Sequence, residues 1–308
     1  MSRSLAAALT LALAVGASAR AQPAGPTSPA PQTLEATVSS VGAFLNITPK
    51  RIAFDHTRRN ATVFILNQGT EPSTVDIALI DRVMLGDGQI VTSDTPGEAV
   101  HASAARLQSA HDLVQISPRR VTLAPGKGQT IRLRLSTLPE TGLGEYRTHL
   151  TVITLPPRES GATAEAAAAG APAGQLRFQV TAVYGLSIPV IVRPADPDVR
   201  AAIESAHIEI RDISPDGRAA PTRTAILALD LVRQGPTSLF GNFEVRSAAA
   251  RKGDDAIGLA RGVGVYPEID RRTVRIPLIR PPNAGEKLEV TFTDDDTSPG
   301  KVLAKASL

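Results

Sequence analysis

The chain alternates. In "QTIRLRLS", Ile131, Leu133 and Leu135 fall on one side and Arg132 and Arg134 on the other, the period of two shown by a strand with one face in a core and one in water. "RTVRIPL" repeats the pattern with Val274, Ile276 and Leu278, and "KLEVTF" with Leu288, Val290 and Phe292. A surface helix would space its apolar residues three or four apart. That spacing is nearly absent, and only "DVRAAIESA", residues 198–206, lacks strand alternation and is expected to be helical. The fold class that follows is all-β.

Before Pro194 seven such runs occur, at 44–54, 61–66, 74–85, 113–116, 129–136, 146–154 and 176–193, separated by turn signals such as "NQGTEPS", "GDG", "APGKG" and "PETGLGE". After "RPADPD" a second set occupies 207–210, 225–232, 240–245, 257–265, 273–278, 288–293 and 302–306. Two sets of short strands predict two immunoglobulin-like β-sandwich domains, at 41–194 and 195–308. The last run of the first set, "LRFQVTAVYGLSIPVIVRP", is about three times the usual strand length. It follows an Ala/Gly tract, "PPRESGATAEAAAAGAPAGQ", that has almost nothing to bury; residues 156–175 are expected to be a flexible loop.

The N-terminus carries one positive charge at Arg3, an apolar run from Leu5 to about Ala19, and the small-residue pattern Ala19-Arg20-Ala21. These predict a secretory signal peptide over 1–21 and a periplasmic protein, with a Pro-rich, disordered lead-in over 22–40. No later stretch has the roughly 20 apolar residues of a membrane helix. Loss of residues 1–21 removes Arg3 and Arg20 and no acid, so the formal charge drops from +3 to +1. With aromatic residues at 3% and no tryptophan, neither the charge nor the stacking surface for a nucleic-acid partner is present.

Chemistry is sparse. There is no cysteine, hence no disulfide and no thiolate. The five histidines never fall two to four residues apart, no serine sits in a G-x-S-x-G setting, and the glycines of "GVGVYPEIDRR" lack a strand-turn-helix context. The acidic run Asp294-Asp295-Asp296 reads as a solvated turn rather than a calcium loop. No catalytic residue, metal site or cofactor is expected, and the chain is not expected to be an enzyme.

What remains informative is the succession "ITPKRIAFDHTRRNATVFILNQGTEPSTV", "VQISPRRVTLAPGKGQTIRLRL", "LPETGLGEYRTHLTVITLPP" and "YGLSIPVIVRP". In order and character it resembles the PapD-like periplasmic chaperones of the chaperone/usher pilus (fimbrial) pathway, closely over 44–194 and loosely beyond, through "GPTSLFGNFEV" and "LEVTFTDDDTSPG". The resemblance implies a chaperone whose first domain ends in a long strand with an open edge. That strand is lent to a pilin-like subunit lacking its own final strand, and the complex is delivered to an outer-membrane usher. Main-chain hydrogen bonds supply affinity and alternate side chains fill the client's groove, so neither cofactor nor nucleophile is needed.

Carried over by position, Arg51 matches the cleft arginine that grips a client's C-terminal carboxylate. Phe178, Val180, Ala182 and Tyr184 match the donated face. Arg193, Glu145 and one residue of the acidic run, taken as Asp295, match a charge network between the domains. The family's second anchor, a lysine, falls on Pro189. That departure widens the client class to spore-coat-type secreted subunits, and an exposed apolar edge in the free protein invites capping by self-association. The alternative is a structural or adhesive immunoglobulin-like envelope protein without client handover.

Overall fold

The computed structural model describes residues 34–41, 44–140, 144–156, 176–214, 217–251 and 253–308, and for 34–41 and 176–182 the backbone alone. The expected signal peptide, residues 22–33 of the expected lead-in and nearly all of the expected flexible loop lie outside the described residues. The end of that lead-in is a strand. Leu34–Val41 (β1) pairs with Leu176–Val183 (β12) in a two-stranded sheet. Its sequence, "LEATVSSV", puts Leu34, Ala36 and Val38 at alternate positions, so residues 34–40 are strand rather than part of the expected lead-in.

The first sandwich has one sheet in the order β2 (Leu45–Thr48), β4 (Asn60–Asn67), β10 (Gly128–Leu135), β8 (Val114–Ser117). Its other sheet runs β3 (Ile52–Phe54), β13 (Gly185–Val192), β11 (Tyr146–Thr154), β5 (Ser73–Ile80), β9 (Arg120–Leu123). Taken in chain order, β2, β4, β5, β8, β10, β11 and β13 place the first, second, fifth and fourth strands in one sheet and the third, sixth and seventh in the other. That is the immunoglobulin arrangement. The short strands β3 and β9 continue β2 and β8 after crossing to the opposite sheet, and β3 adds to β13 in parallel. The alternation read from sequence is the burial pattern observed: Ile131, Leu133 and Leu135 are buried while Arg132 and Arg134 are exposed.

Between β5 and β8 lie a hairpin, β6 (Arg82–Met84) with β7 (Ile90–Thr92), and the helix α1 (Glu98–Arg106). Alanine favours this helix, but Val100 is its one large buried residue, so no apolar stripe marks it in the sequence.

The second sandwich pairs β14 (Ala201–Ile213), β15 (Thr222–Arg233) and β18 (Arg271–Pro277) in one sheet. The other holds β17 (Gly258–Val265), β16 (Leu239–Ser247), β19 (Leu288–Asp294) and β20 (Val302–Ser307). The helix expected over 198–206 is absent, and residues 201–206 begin β14 instead. The cause is a bulge: pairing with β15 shifts register between Glu204 and His207, and Ser205 has φ 53°. The one inserted residue breaks the period of two that sequence reading relies on.

One buried polar side chain ties the first sandwich's turns together. Asn67 donates Nδ2 hydrogen bonds to the carbonyls of Glu71 (2.8 Å) and Leu123 (3.1 Å), and its Oδ1 accepts from the Gly69 amide (2.9 Å). Asn67→Ala strands buried backbone groups and should cost about 2–4 kcal/mol. Asn67→Asp, which keeps the acceptor and loses the donors, should cost a comparable amount. Urea titration of both variants measures this.

Candidate functional site

β13 is where the two sandwiches and the long strand come together. Thr154 donates its amide to the Tyr184 carbonyl (3.1 Å), and Arg193 donates its amide to the Phe54 carbonyl (2.8 Å). With a period of two, even-numbered amides of this strand therefore face β11 and odd-numbered ones face β3. β11 runs along β13 from Gly185 to Val192, but β3 pairs only with Val190, Ile191 and Val192. On the β3 side, residues 185–189 have no neighbouring strand among the described residues. Pro189 is odd, so its missing N–H falls on this unpaired side and no ladder bond is lost.

The two faces of β13 go to different cores. Ile188, Val190 and Val192 are buried in the first sandwich, while Ile191 packs with Met84 of β6 into the cluster of the second. Towards the chain's earlier part the row opens: Val183 and Tyr184 are 49% and 45% exposed. The backbone of β12 carries the expected donor positions Phe178, Val180 and Ala182, whose side chains lie outside the described residues.

Arg51, expected at a client's carboxylate, lies between the sandwiches. Its Nη2 donates to Asp296 Oδ2 and Ser238 Oγ, each at 3.0 Å, and its guanidinium lies 4.8 Å from the Phe240 ring centroid. Its Nε and Nη1 are buried and make no hydrogen bond among the described residues. Arg193 donates from Nε to Glu145 Oε2 (3.0 Å) and from Nη2 to Asp296. Ser238 closes the ring by donating its hydroxyl to Glu145 Oε2 at 3.1 Å. The expected Arg193–Glu145 pairing is present, but the acid that joins it is Asp296. Among the described residues Asp295 contributes only its amide, to the Phe240 carbonyl. The reason is a side-chain turn: Asp294 is buried and accepts from the Asp296 amide, Thr297 hydroxyl and Ser298 amide, which directs the next-but-one carboxylate at the arginines. Burial pushes the Asp296 carboxyl up, but the Arg51 and Arg193 charges outweigh it and hold the group below its ordinary range.

A second ion pair was not anticipated. Arg147 on β11 and Glu268 in the β17–β18 turn are each only 1% exposed and form a direct salt bridge. Arg147 also donates to the Arg82 carbonyl (2.9 Å) and lies 4.0 Å from the Tyr266 ring centroid, while Glu268 accepts from the Met84 amide at 2.9 Å. Beside them His149 is buried, with Arg147 Nη1 3.2 Å from its Nε2. Burial, followed by the Arg147 and Arg82 charges, pushes its pKa down to about 2. Burial raises the Glu268 carboxyl despite Arg147. A signal for the Arg147 half of this pair does exist in the sequence. Arg147 and His149 share one face of a strand otherwise full of apolar residues and threonines, which marks that face as covered by something polar.

No group of three or more potential metal ligands occurs among the described residues, and none of their helices is long and apolar enough to cross a membrane. No family model and no curated protein matches the chain. Solved structures do. The E. coli chaperone DraB is 14% identical with TM-score 0.40, covering 90% of this chain and 99% of that one. Pseudomonas aeruginosa CupB2 chaperone is 11% identical with TM-score 0.41, covering 85% and 97%. The CsuC-CsuE chaperone-tip adhesion subunit pre-assembly complex of Acinetobacter baumannii contains a chain 14% identical with TM-score 0.41, covering 86% and 97%.

Two outcomes follow from the buried groups. Arg147→Ala leaves the Glu268 carboxylate buried without its cation and should destabilise by about 3–5 kcal/mol, read in urea titration. His149, neutral when folded, has an ordinary pKa of 6.5 when unfolded, so the stability it contributes is complete above pH 6.5 and lost as pH falls towards about 2. Glu268 acts with the opposite sign, since its raised pKa favours the folded state on acidification. Comparing the wild type with His149→Gln between pH 6.5 and 4.5 isolates the histidine: the variant should lack a slope of about 1.4 kcal/mol per pH unit.

Proposed function

We propose that this chain is a periplasmic assembly chaperone that captures pilin-like or other secreted subunits by lending them an edge strand, and that it passes them to an outer-membrane usher. The observation that carries the reading is the edge of β13 over residues 185–189, paired with β11 on one side and without a neighbouring strand on the other among the described residues, continuing through exposed Val183 and Tyr184 into β12. A client strand added there would find main-chain donors and acceptors already aligned. The row Ile188, Leu186, Tyr184 points from the first core towards this free stretch. Ala182, Val180 and Phe178 share its parity and are the positions offered to a client lacking a strand of its own. The sequence resemblance supports the same assignment, and such a mechanism needs no nucleophile, metal or cofactor.

Arg51 fits this reading as the anchor. One of its nitrogens is fixed by Asp296 and Ser238, which orients the guanidinium; the other two are buried without a hydrogen-bond partner among the described residues, so a client's carboxylate would have to displace what covers them. With Pro189 in place of a lysine, this arginine acts alone.

Co-purification from periplasm followed by mass spectrometry tests the proposal. A secreted, strand-deficient subunit should be recovered in one-to-one complex, and recovery of the chain free of any such subunit from cells assembling surface fibres would overturn it. Val180→Glu should leave the melting temperature within a degree or two of wild type yet abolish the complex, since a charge without a partner enters an apolar groove. A large drop in melting temperature would instead place Val180 in the protein's own core. Arg51→Ala should weaken capture at least tenfold, the scale of a lost charge-assisted bond of about 1.5–3 kcal/mol.

A further inference from the structure

The sheet β2-β4-β10-β8 buries one face in the first sandwich and turns the other to solvent, and none of its four strands contains an aspartate or glutamate. At the centre of the outward face stand Arg132 and Arg134. Cross-strand register places Arg132 between Thr62 and Ser117, and Arg134 between Asn60 and Gln115. These residues line a shallow groove of about 610 Å³. Phe64 is exposed on the same face, 45% accessible, opposite Thr130.

Three outward-facing arginines elsewhere have counter-charges on neighbouring strands. Arg120 of β9 pairs with Asp76 of β5, Arg275 of β18 with Glu209 of β14, and Arg271 with Glu204. Arg132 and Arg134 have no ion pair among the described residues. Two like charges held side by side on one strand face repel, and unlike those three arginines this adjacent pair is left without a counter-charge among the described residues. Residues two apart on a strand are about 6.6–6.8 Å apart. An extended segment with acidic residues at alternate positions repeats its carboxylates at that same spacing, and each carboxylate suits the two-pronged donor geometry of a guanidinium. The hydroxyl and amide rows on either side supply hydrogen-bond partners for the main chain and polar side chains of such a segment, and Phe64 gives an apolar contact at one end.

We propose that this face is a docking surface for a partner protein presenting an extended segment with alternating acidic residues. It lies on the sheet that does not contain β13, so it is independent of the strand-donation reading and its failure leaves that reading untouched.

The test uses the full chain and a synthetic twelve-residue peptide of alternating Glu and Thr, with the Lys-Thr counterpart as control, in fluorescence-detected titration at low salt. Saturable binding of the acidic peptide alone is expected. Arg132→Glu/Arg134→Glu should weaken it at least tenfold, Arg132→Gln/Arg134→Gln by less, and Arg200→Glu, at an exposed arginine of the second domain, not at all. Melting temperatures should be unchanged throughout. Absence of binding would overturn the proposal, as would equal loss in the Arg200 variant. Tighter binding of heparin or of phosphatidylglycerol vesicles through the same two arginines would also overturn it, because the surface would then recognise a sulfated glycan or a lipid headgroup.

Discussion

Three residues of one strand join the two sandwiches and are held from every side. Val190, Ile191 and Val192 have strands on both edges and protein on both faces. Val190 and Val192 belong to the first core and Ile191 to the second cluster. A slip of one residue would exchange those faces, placing an isoleucine in the first core and two valines at the junction. It would also carry Arg193, next along the chain, away from Glu145 and Asp296. The parallel addition of β3 and the placement of Arg193 are therefore one geometric condition met twice. It also fixes where the second partner ends, because β3 begins its pairing at Val190 and the chain before it has one strand partner instead of two among the described residues.

The apolar and charged parts of the junction do different things. Ile191, Met84 and the partly buried Ala53 bury surface, which favours association but tolerates sliding. A buried ion pair contributes little net stability against its desolvation, yet it is strongly unfavourable when misaligned. Arg147 reaches Glu268, the Arg82 carbonyl and the Tyr266 ring at once, and Glu268 is held as well by the Met84 amide. Few relative placements of β11, β6 and the β17–β18 turn satisfy all of these contacts, so here the polar groups select the arrangement that the apolar surface makes favourable.

Much of this was legible where information is local. Alternation found β10, β18 and β19 because each has one face in a core and one in water, and the second set of seven runs became β14 to β20 in order. Alternation failed where a residue was added or where a helix lacked a stripe: the bulge after Glu204 made a strand look helical, and the alanines of α1 left one large apolar residue to mark its buried side. Arg193 and Glu145 were legible because they sit in motifs. The acid was displaced by one, from Asp295 to Asp296, because a run of three carboxylates gives no local clue to which one a side-chain turn consumes. That role falls to Asp294, whose oxygens are occupied by three donors. Glu268 was invisible since its partner lies 121 residues away.

Pro189 shows how a departure from the pattern of the family the sequence resembles becomes intelligible only with register. In a central strand a proline forfeits a ladder bond, and β13 is central by sheet order. The parity of the flanking bonds resolves the conflict: Tyr184 and Arg193 fix which amides face which neighbour, and the proline's nitrogen faces the side β3 has yet to reach. A lysine there would retain the amide and add a cation. The proline instead removes a donor from the free edge and holds φ near the value proline imposes. A strand arriving at that edge would meet one fewer hydrogen-bond donor at position 189 but a backbone with less freedom to lose. The edge is thereby made less adhesive towards arbitrary strands, the same effect by which prolines protect exposed sheet edges elsewhere. Under the proposed strand-donation reading, selectivity would fall to the side chains before Gly185 and to the guanidinium of Arg51.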